Sequence, residues 1–167
     1  MAGKSIKIGD VFSVKLDDKN KKFFQYIAND LTQLNSDVIR SFKQKYPIDD
    51  NPELARIVED EVDFYAHCIL KIGVKMKVWD VWGNSQELGK LNDVLFRGTS
   101  DSGSRPGEQI LVSNKWYIWK INDLNFTSVG KLEGENRKAE LGVVVNPYDI
   151  KDRMITGSYN FFYPGYE

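Results

Sequence analysis

Every second residue from Val62 to Val78 is apolar: Val62, Phe64, Ala66, Cys68, Leu70, Ile72, Val74, Met76 and Val78, with Asp63, Tyr65, His67, Lys71, Lys75 and Lys77 among the residues between them. A period of two is the period of a pleated strand, whose side chains point alternately to its two faces. One strand this long is uncommon, and Gly73 offers a bend, so the spacing predicts a strand from Val62 to about Ile72. Lys75 to Gly83 reads either as a further strand or as a connecting turn. A segment of this kind needs neighbours to satisfy its backbone and bury its apolar side, so the chain must build a sheet.

The neighbours are legible. Ile6, Ile8, Phe12, Val14 and Leu16 alternate in the same way, with Gly9-Asp10 a candidate bulge. The polar run Asp17 to Lys22 reads as a hairpin loop and Phe23 to Ala28 as the returning strand. From Leu31 to Tyr46 two readings compete. Leu31, Leu34, Val38 and Phe42 fit a helical stripe, whereas Val38, Arg40, Phe42, Gln44 and Tyr46 fit a strand face; we favour a strand from about Val38. Asn51-Pro52-Glu53 places a cap residue, a proline and an acid ahead of Leu54, Ile57 and Val58, which predicts a helix over 52–60. Asn146-Pro147 repeats that start, and Gly157 supplies a stop, for a helix over 147–155. Further strands are expected at 94–96, 109–112, 116–121 and 140–145, with the Gly/Ser-rich stretch 99–107 a loop and the aromatic tail after Gly157 lying on the body of the protein.

The 167 residues suit one domain, taken as 1–167, and 41% hydrophobic content supplies a core. The expected fold is α+β, a mainly antiparallel twisted sheet with two short helices, and Ile6, Phe12, Phe64, Cys68 and Leu70 inward. With 23 Lys plus Arg against 24 Asp plus Glu, the net charge of −1 provides no general field for a nucleic acid or an anionic membrane. No apolar run approaches the roughly 20 residues of a membrane span. The start Met1-Ala2-Gly3-Lys4 carries no apolar leader, which favours a cytoplasmic home. Gly3-Lys4-Ser5 resembles the end of a phosphate-binding loop but lacks the strand and earlier glycine that motif requires.

Few residues carry chemistry. Cys68 is the one cysteine and His67 the one histidine, so neither a disulfide nor a zinc site of ordinary spacing is available, and no cofactor is expected. Cys68 falls on the apolar side of its strand, as a structural thiol. Asp63, Tyr65 and His67 share the other side, where a carboxylate could orient an imidazole; a small hydrolase or ligand-binding enzyme using this face is the alternative reading. From Lys43 to Asp63 seven acids, Asp49, Asp50, Glu53, Glu59, Asp60, Glu61 and Asp63, outnumber Lys43, Lys45 and Arg56. They lack calcium-loop spacing, and read as a docking face for a basic partner or as a solvated helix end. Trp79, Trp82, Trp116 and Trp119 could stack bases, but few lysines accompany them, and core packing or a protein interface suits them better.

In order along the chain, Lys7-Ile8-Gly9-Asp10-Val11-Phe12, the strand around Asp63 to Ile69, the segment from Trp79 to Gly83-Asn84, Trp116-Tyr117-Ile118-Trp119 and the run Val143-Val144-Val145-Asn146-Pro147-Tyr148-Asp149-Ile150-Lys151-Asp152-Arg153-Met154 resemble the Immunity protein 26 family of bacterial polymorphic toxin systems. The loop at 98–107 and the tail after Gly157 depart from that pattern. The resemblance implies a non-enzymatic protein that binds and neutralises a cognate toxin in competition between bacteria, with no catalytic residues to carry over. Glu59, Asp60, Glu61 and Asp63, joined by the aromatic anchors Tyr65 and Trp82, are the expected partner-binding residues.

Overall fold

The computed structural model describes residues 5–167. Met1 to Lys4, on which the reading of the N-terminus and most of the Gly3-Lys4-Ser5 segment rest, lie outside the described residues.

The first alternating segment forms strand β1 (Asp10–Lys15), which pairs antiparallel with β2 (Asn20–Asp30). Asp17 shapes the turn between them, its Oδ1 accepting the Lys19 and Asn20 amides at 2.8 and 2.7 Å. The expected bulge at Gly9-Asp10 is instead a tight turn at the entrance to β1, and the irregularity in pairing falls two residues later, between Val11 and Phe12. Ile6, ahead of this turn, is only partly buried against the core. Strand β3 (Ser36–Phe42) follows on β2, so the strand alternative holds for 38–42. Leu31 and Leu34, offered as part of a helical stripe, lie in the β2–β3 turn.

After the short β4 (Tyr46–Pro47), which pairs with the start of β2, come α1 (Leu54–Val58) and β5 (Val62–Cys68), the latter antiparallel to β3. Helix α1 is shorter than 52–60 because no side chain caps its start; the Pro52 carbonyl instead accepts the Trp82 indole N–H.

The long alternation then changes character. The strand ends at Cys68, and Leu70–Lys75 forms a helix, α2, a third beyond the two expected. Two contacts explain the switch. The Leu70 amide donates to Asp37 Oδ2 at 3.0 Å, and the Trp79 indole lies over Gly73 and donates to the Leu70 carbonyl at 3.1 Å. A helical turn brings Leu70 and Gly73 to one side, where the indole can cover both; a continued strand would not. Strand β6 (Asp80–Asn84) returns to β1 at the far edge, giving the order β5-β3-β2-β1-β6.

A second sheet follows: β7 (Leu95–Thr99), β8 (Trp116–Lys120), β9 (Thr127–Gly130) and β10 (Glu140–Leu141), in the order β10-β7-β8-β9 with β10 parallel to β7. One-turn 3-10 helices precede β7 (Leu91–Asp93) and β10 (Gly134–Lys138). The strand expected at 109–112 reduces to one bridge from Val112 to Gly165, and that at 140–145 to β10 followed by a bridge from Val144 to His67. The last helix, α3 (Pro147–Thr156), starts as expected, with Asn146 Oδ1 accepting the Tyr148 amide at 2.9 Å, and stops at Gly157, whose φ of 89° suits glycine.

The large sheet is covered on both faces. On one, Phe12, Phe24, Ile39, Phe64 and Cys68 pack against Leu70, Trp79, Ile150 and Met154. On the other, Val11, Phe23, Phe42 and Tyr46 meet Ile57 and Val58 of α1, while Ile27 and Val38 meet Val94, Phe96 and Trp119 of the second sheet. The architecture is α+β with antiparallel pairing dominant, as expected. Four of the five residues expected inward, Phe12, Phe64, Cys68 and Leu70, are fully buried, and burial pushes the Cys68 thiol well above its ordinary pKa. The tail lies on the body: Tyr159 packs on Phe64, Tyr163 on Trp116, and Tyr166 beside Arg97.

Candidate functional site

His67 sits on the face of β5 that meets the second sheet, and no part of it reaches solvent. Its Nε2 lies 2.9 Å from Asp30 Oδ2, so Asp30, at the end of β2, is its partner; Asp63, the carboxylate offered by spacing alone, lies exposed and away from the ring. The same Oδ2 accepts the Trp119 indole N–H at 3.0 Å, and Oδ1 accepts the Asn122 amide at 3.1 Å. Burial pushes the Asp30 carboxyl up, but the bonds from His67, Trp119 and Asn122 outweigh it and hold the group below its ordinary range. For His67 burial dominates and pulls the imidazole below its ordinary value, against the pull of Asp30. A neutral ring beside an ionised carboxylate must carry its proton on Nε2, which leaves Nδ1 as a buried acceptor without a partner. The Phe96 ring, 4.0 Å from the imidazole between centroids, closes the other side. This arrangement fixes the two sheets to each other and keeps the imidazole out of solvent.

Asp30 also organises surface. Two turns leave the enclosed carboxylate: Leu31 to Asn35 between β2 and β3, and Asn122 to Phe126 between β8 and β9. They are tied together by the Leu31 amide, which donates to Asn122 Oδ1 at 2.8 Å, and by Gln33, whose Nε2 donates to the carbonyls of Asp123 and Leu124 at 3.4 Å. Leu34, Asn35 and Asn122 adopt left-handed backbone, with φ of 59°, 39° and 65°. That conformation is costly for leucine and persists here because the surrounding bonds impose it. The outcome is an apolar display: Leu124 is 81% and Leu31 69% exposed, with Leu34 and Phe126 exposed beside them. Phe126 is anchored from beneath by Tyr117 and Trp119, at 4.3 and 4.9 Å between ring centroids.

The acids chosen from the sequence occupy the other end of β3. Glu59, Glu61 and Asp63 are exposed where α1 passes into β5. Asp60 is a turn builder, its carboxylate accepting the Gln44 amide at 2.6 Å and the Glu61 amide at 2.8 Å. Glu61 pairs with Lys43 at 2.9 Å in the open, which contributes little to stability. Tyr65 shares the Asp63 side of β5 and is half-buried in a cleft of about 630 Å³ that also holds Asp93, Lys120 and Glu135. Trp82 is half-buried on β6, edge-on to Phe23 at 5.1 Å with Lys21 Nζ 4.6 Å above its ring. Strands β5 and β6 are the opposite edges of the five-strand order, roughly 19 Å apart at ordinary strand spacing, so Tyr65 and Trp82 do not form one anchor pair.

Asp30, Leu124 and Phe126 were not among the residues singled out in the sequence, and Leu31 and Leu34 entered only as part of a helical stripe. Their signals were the single histidine inside an apolar alternation, and the leucines of Leu31-Thr32-Gln33-Leu34 and Asp123-Leu124, which fit neither flanking strand. Among the described residues no cluster of three or more His, Cys, Asp or Glu side chains is placed to hold a metal, and no helix is long and apolar enough to cross a membrane. Comparison with protein-family models, with curated proteins and with solved structures gives no match.

Proposed function

We propose that this chain is an immunity protein that binds a cognate bacterial toxin in the cytoplasm and neutralises it by direct association, without turnover. The function comes from the resemblance to the Immunity protein 26 family. The observation that carries the binding mode is the paired display of Leu31 and Leu124 on turns locked to a buried carboxylate. Large apolar side chains held out to solvent on a rigid support are what a protein interface uses, because little order is lost when the partner arrives. The enclosure of His67 supports the same reading over the Asp63, Tyr65 and His67 enzyme, since a general base must come within hydrogen-bond reach of its substrate.

Glu59, Glu61 and Asp63 add a negative end some seven strand residues away, roughly 20 Å along β3. A partner domain about 30 Å across can span both surfaces, with the leucines giving contact area and the acids favouring a basic counterpart. The test is a calorimetric titration of the protein into its purified cognate toxin. Leu31→Asp combined with Leu124→Asp should weaken binding at least about tenfold, and Glu59→Lys with Glu61→Lys should slow association most at low salt. Wild-type affinity in both double variants would refute the reading.

A further inference from the structure

Between β7, β10, the Gly134–Lys138 turn and α3 lies a cavity of about 330 Å³, at the lower end of the roughly 300–1,000 Å³ usual for ligand pockets. Arg97, Arg137, Lys138 and Arg153 line it, with Glu140 as the one acid and Tyr159 at the wall. Part of this charge is already matched: Arg153 holds Glu140 through two bonds, at 2.7 and 3.0 Å, and Lys138 holds Glu135 at 2.7 Å. Arg97 and Arg137 remain. Arg137 donates to the main-chain oxygens of Leu132 and Glu167, whose side-chain carboxylate is taken by Lys131. Arg97 donates to the Ala139 carbonyl, and its Nε is buried without a partner. Among the described residues Arg97 has no ion pair. Burial of this guanidinium is costly and pulls its pKa down, against the pull of Tyr166 and Glu140 nearby.

The guanidinium groups are also fixed in direction. Arg97 lies 5.3 Å from the ring centroids of both Trp116 and Tyr166, and Arg153 lies 4.2 Å from Phe64 and 4.8 Å from Tyr159. Such stacking holds Arg97 in place with its Nε still unpartnered and lowers the ordering cost of binding an anion. The cations come from a strand, a 3-10 turn and a helix, so they approach from different directions. That suits the several oxygens of a tetrahedral dianion better than a planar carboxylate.

We infer that this cavity binds the phosphoryl group of a small molecule, held by Arg97, Arg137 and Lys138 beside the Arg153–Glu140 pair. The site is separate from the leucine display and does not depend on the toxin reading. The experiment is calorimetry at fixed ionic strength with inorganic phosphate, glucose 6-phosphate and glutarate. Saturable binding of either phosphate is expected, and the tighter of the two distinguishes the free ion from an organic phosphate. Arg97→Gln should weaken it at least about tenfold, and the exposed rim variants Arg137→Gln and Lys138→Gln, which leave the core untouched, by about three- to tenfold. No saturable heat with either phosphate, equal binding of glutarate, or unchanged affinity in both rim variants would overturn the assignment.

Discussion

His67 Nε2 and Asp30 Oδ2 stand 2.9 Å apart across 37 residues of chain, fully enclosed where the two sheets meet. The same carboxylate receives Trp119 from β8 and the Asn122 amide from the turn that follows. One acid thus joins β2, β5 and β8 and sets the position of both exposed turns. An ionised carboxylate only accepts hydrogen bonds, and five donors meet it here, the Thr32 hydroxyl and the Gln33 amide at 3.4 Å besides these three, so its burial is offset by bonds to a charged group, each worth roughly 1.5–3 kcal/mol.

Asp30→Asn should be costly despite its near-identical shape. The amide NH₂ would face either the His67 or the Trp119 donor, and the negative charge that strengthens these bonds would be gone. A loss of about 3 kcal/mol in urea denaturation at pH 7 is expected, with a change in Trp119 fluorescence. A loss below about 1 kcal/mol would mean that the hub does not hold the sheets together.

Acid should weaken the fold in two stages. The unfolded chain protonates His67 near its ordinary 6.5, while burial keeps the folded imidazole neutral to lower pH, so this contribution is intact above 6.5 and declines as pH falls below it. Asp30 is also held below its ordinary 3.8, so its contribution is present above that value and is lost as pH falls through the lower folded pKa. Denaturation midpoints measured from pH 7.5 to 4.5 should drop below 6.5 in the wild type and flatten in His67→Gln. An identical slope in the variant would contradict the assignment.

Local pattern carried much of this fold. The alternation at 6–16 and 62–68 and the Asn146-Pro147 start of α3 are short-range signals, read without knowledge of the partners. The failures have a common cause. Leu70 and Gly73 satisfy a helix as well as an alternating strand, and Asp37, which takes the Leu70 amide, and Trp79, which covers both residues, decide between them. Asp30 meets His67 and Trp119 from 37 and 89 residues away, and no spacing rule reaches that far. Asp63 was the nearer carboxylate in sequence, yet the β2–β3–β5 arrangement brings Asp30 to the ring instead. The acids at 59–63 lie where α1 passes into β5, whereas Trp82 belongs to the opposite sheet edge, because β6 pairs with β1.

Gly73→Ala tests that account of α2. In an exposed helix the change would stabilise by about 1 kcal/mol. Here an added Cβ would fall on the Cε2 and Cζ2 atoms of Trp79, so a net loss of about 1–2 kcal/mol is expected, with a shifted Trp79 environment in near-ultraviolet circular dichroism. A gain in stability would show that the indole does not require the glycine.

The most direct test of the proposed function is to titrate the protein into its purified cognate toxin and follow the residual toxin activity. Neutralisation by association should be complete at a fixed molar ratio, should persist in His67→Gln variants that remain folded, and should require more protein when Leu31 and Leu124 are replaced by Asp. Complete neutralisation by substoichiometric protein, abolished by His67→Gln in a folded chain, would contradict binding and establish turnover in its place.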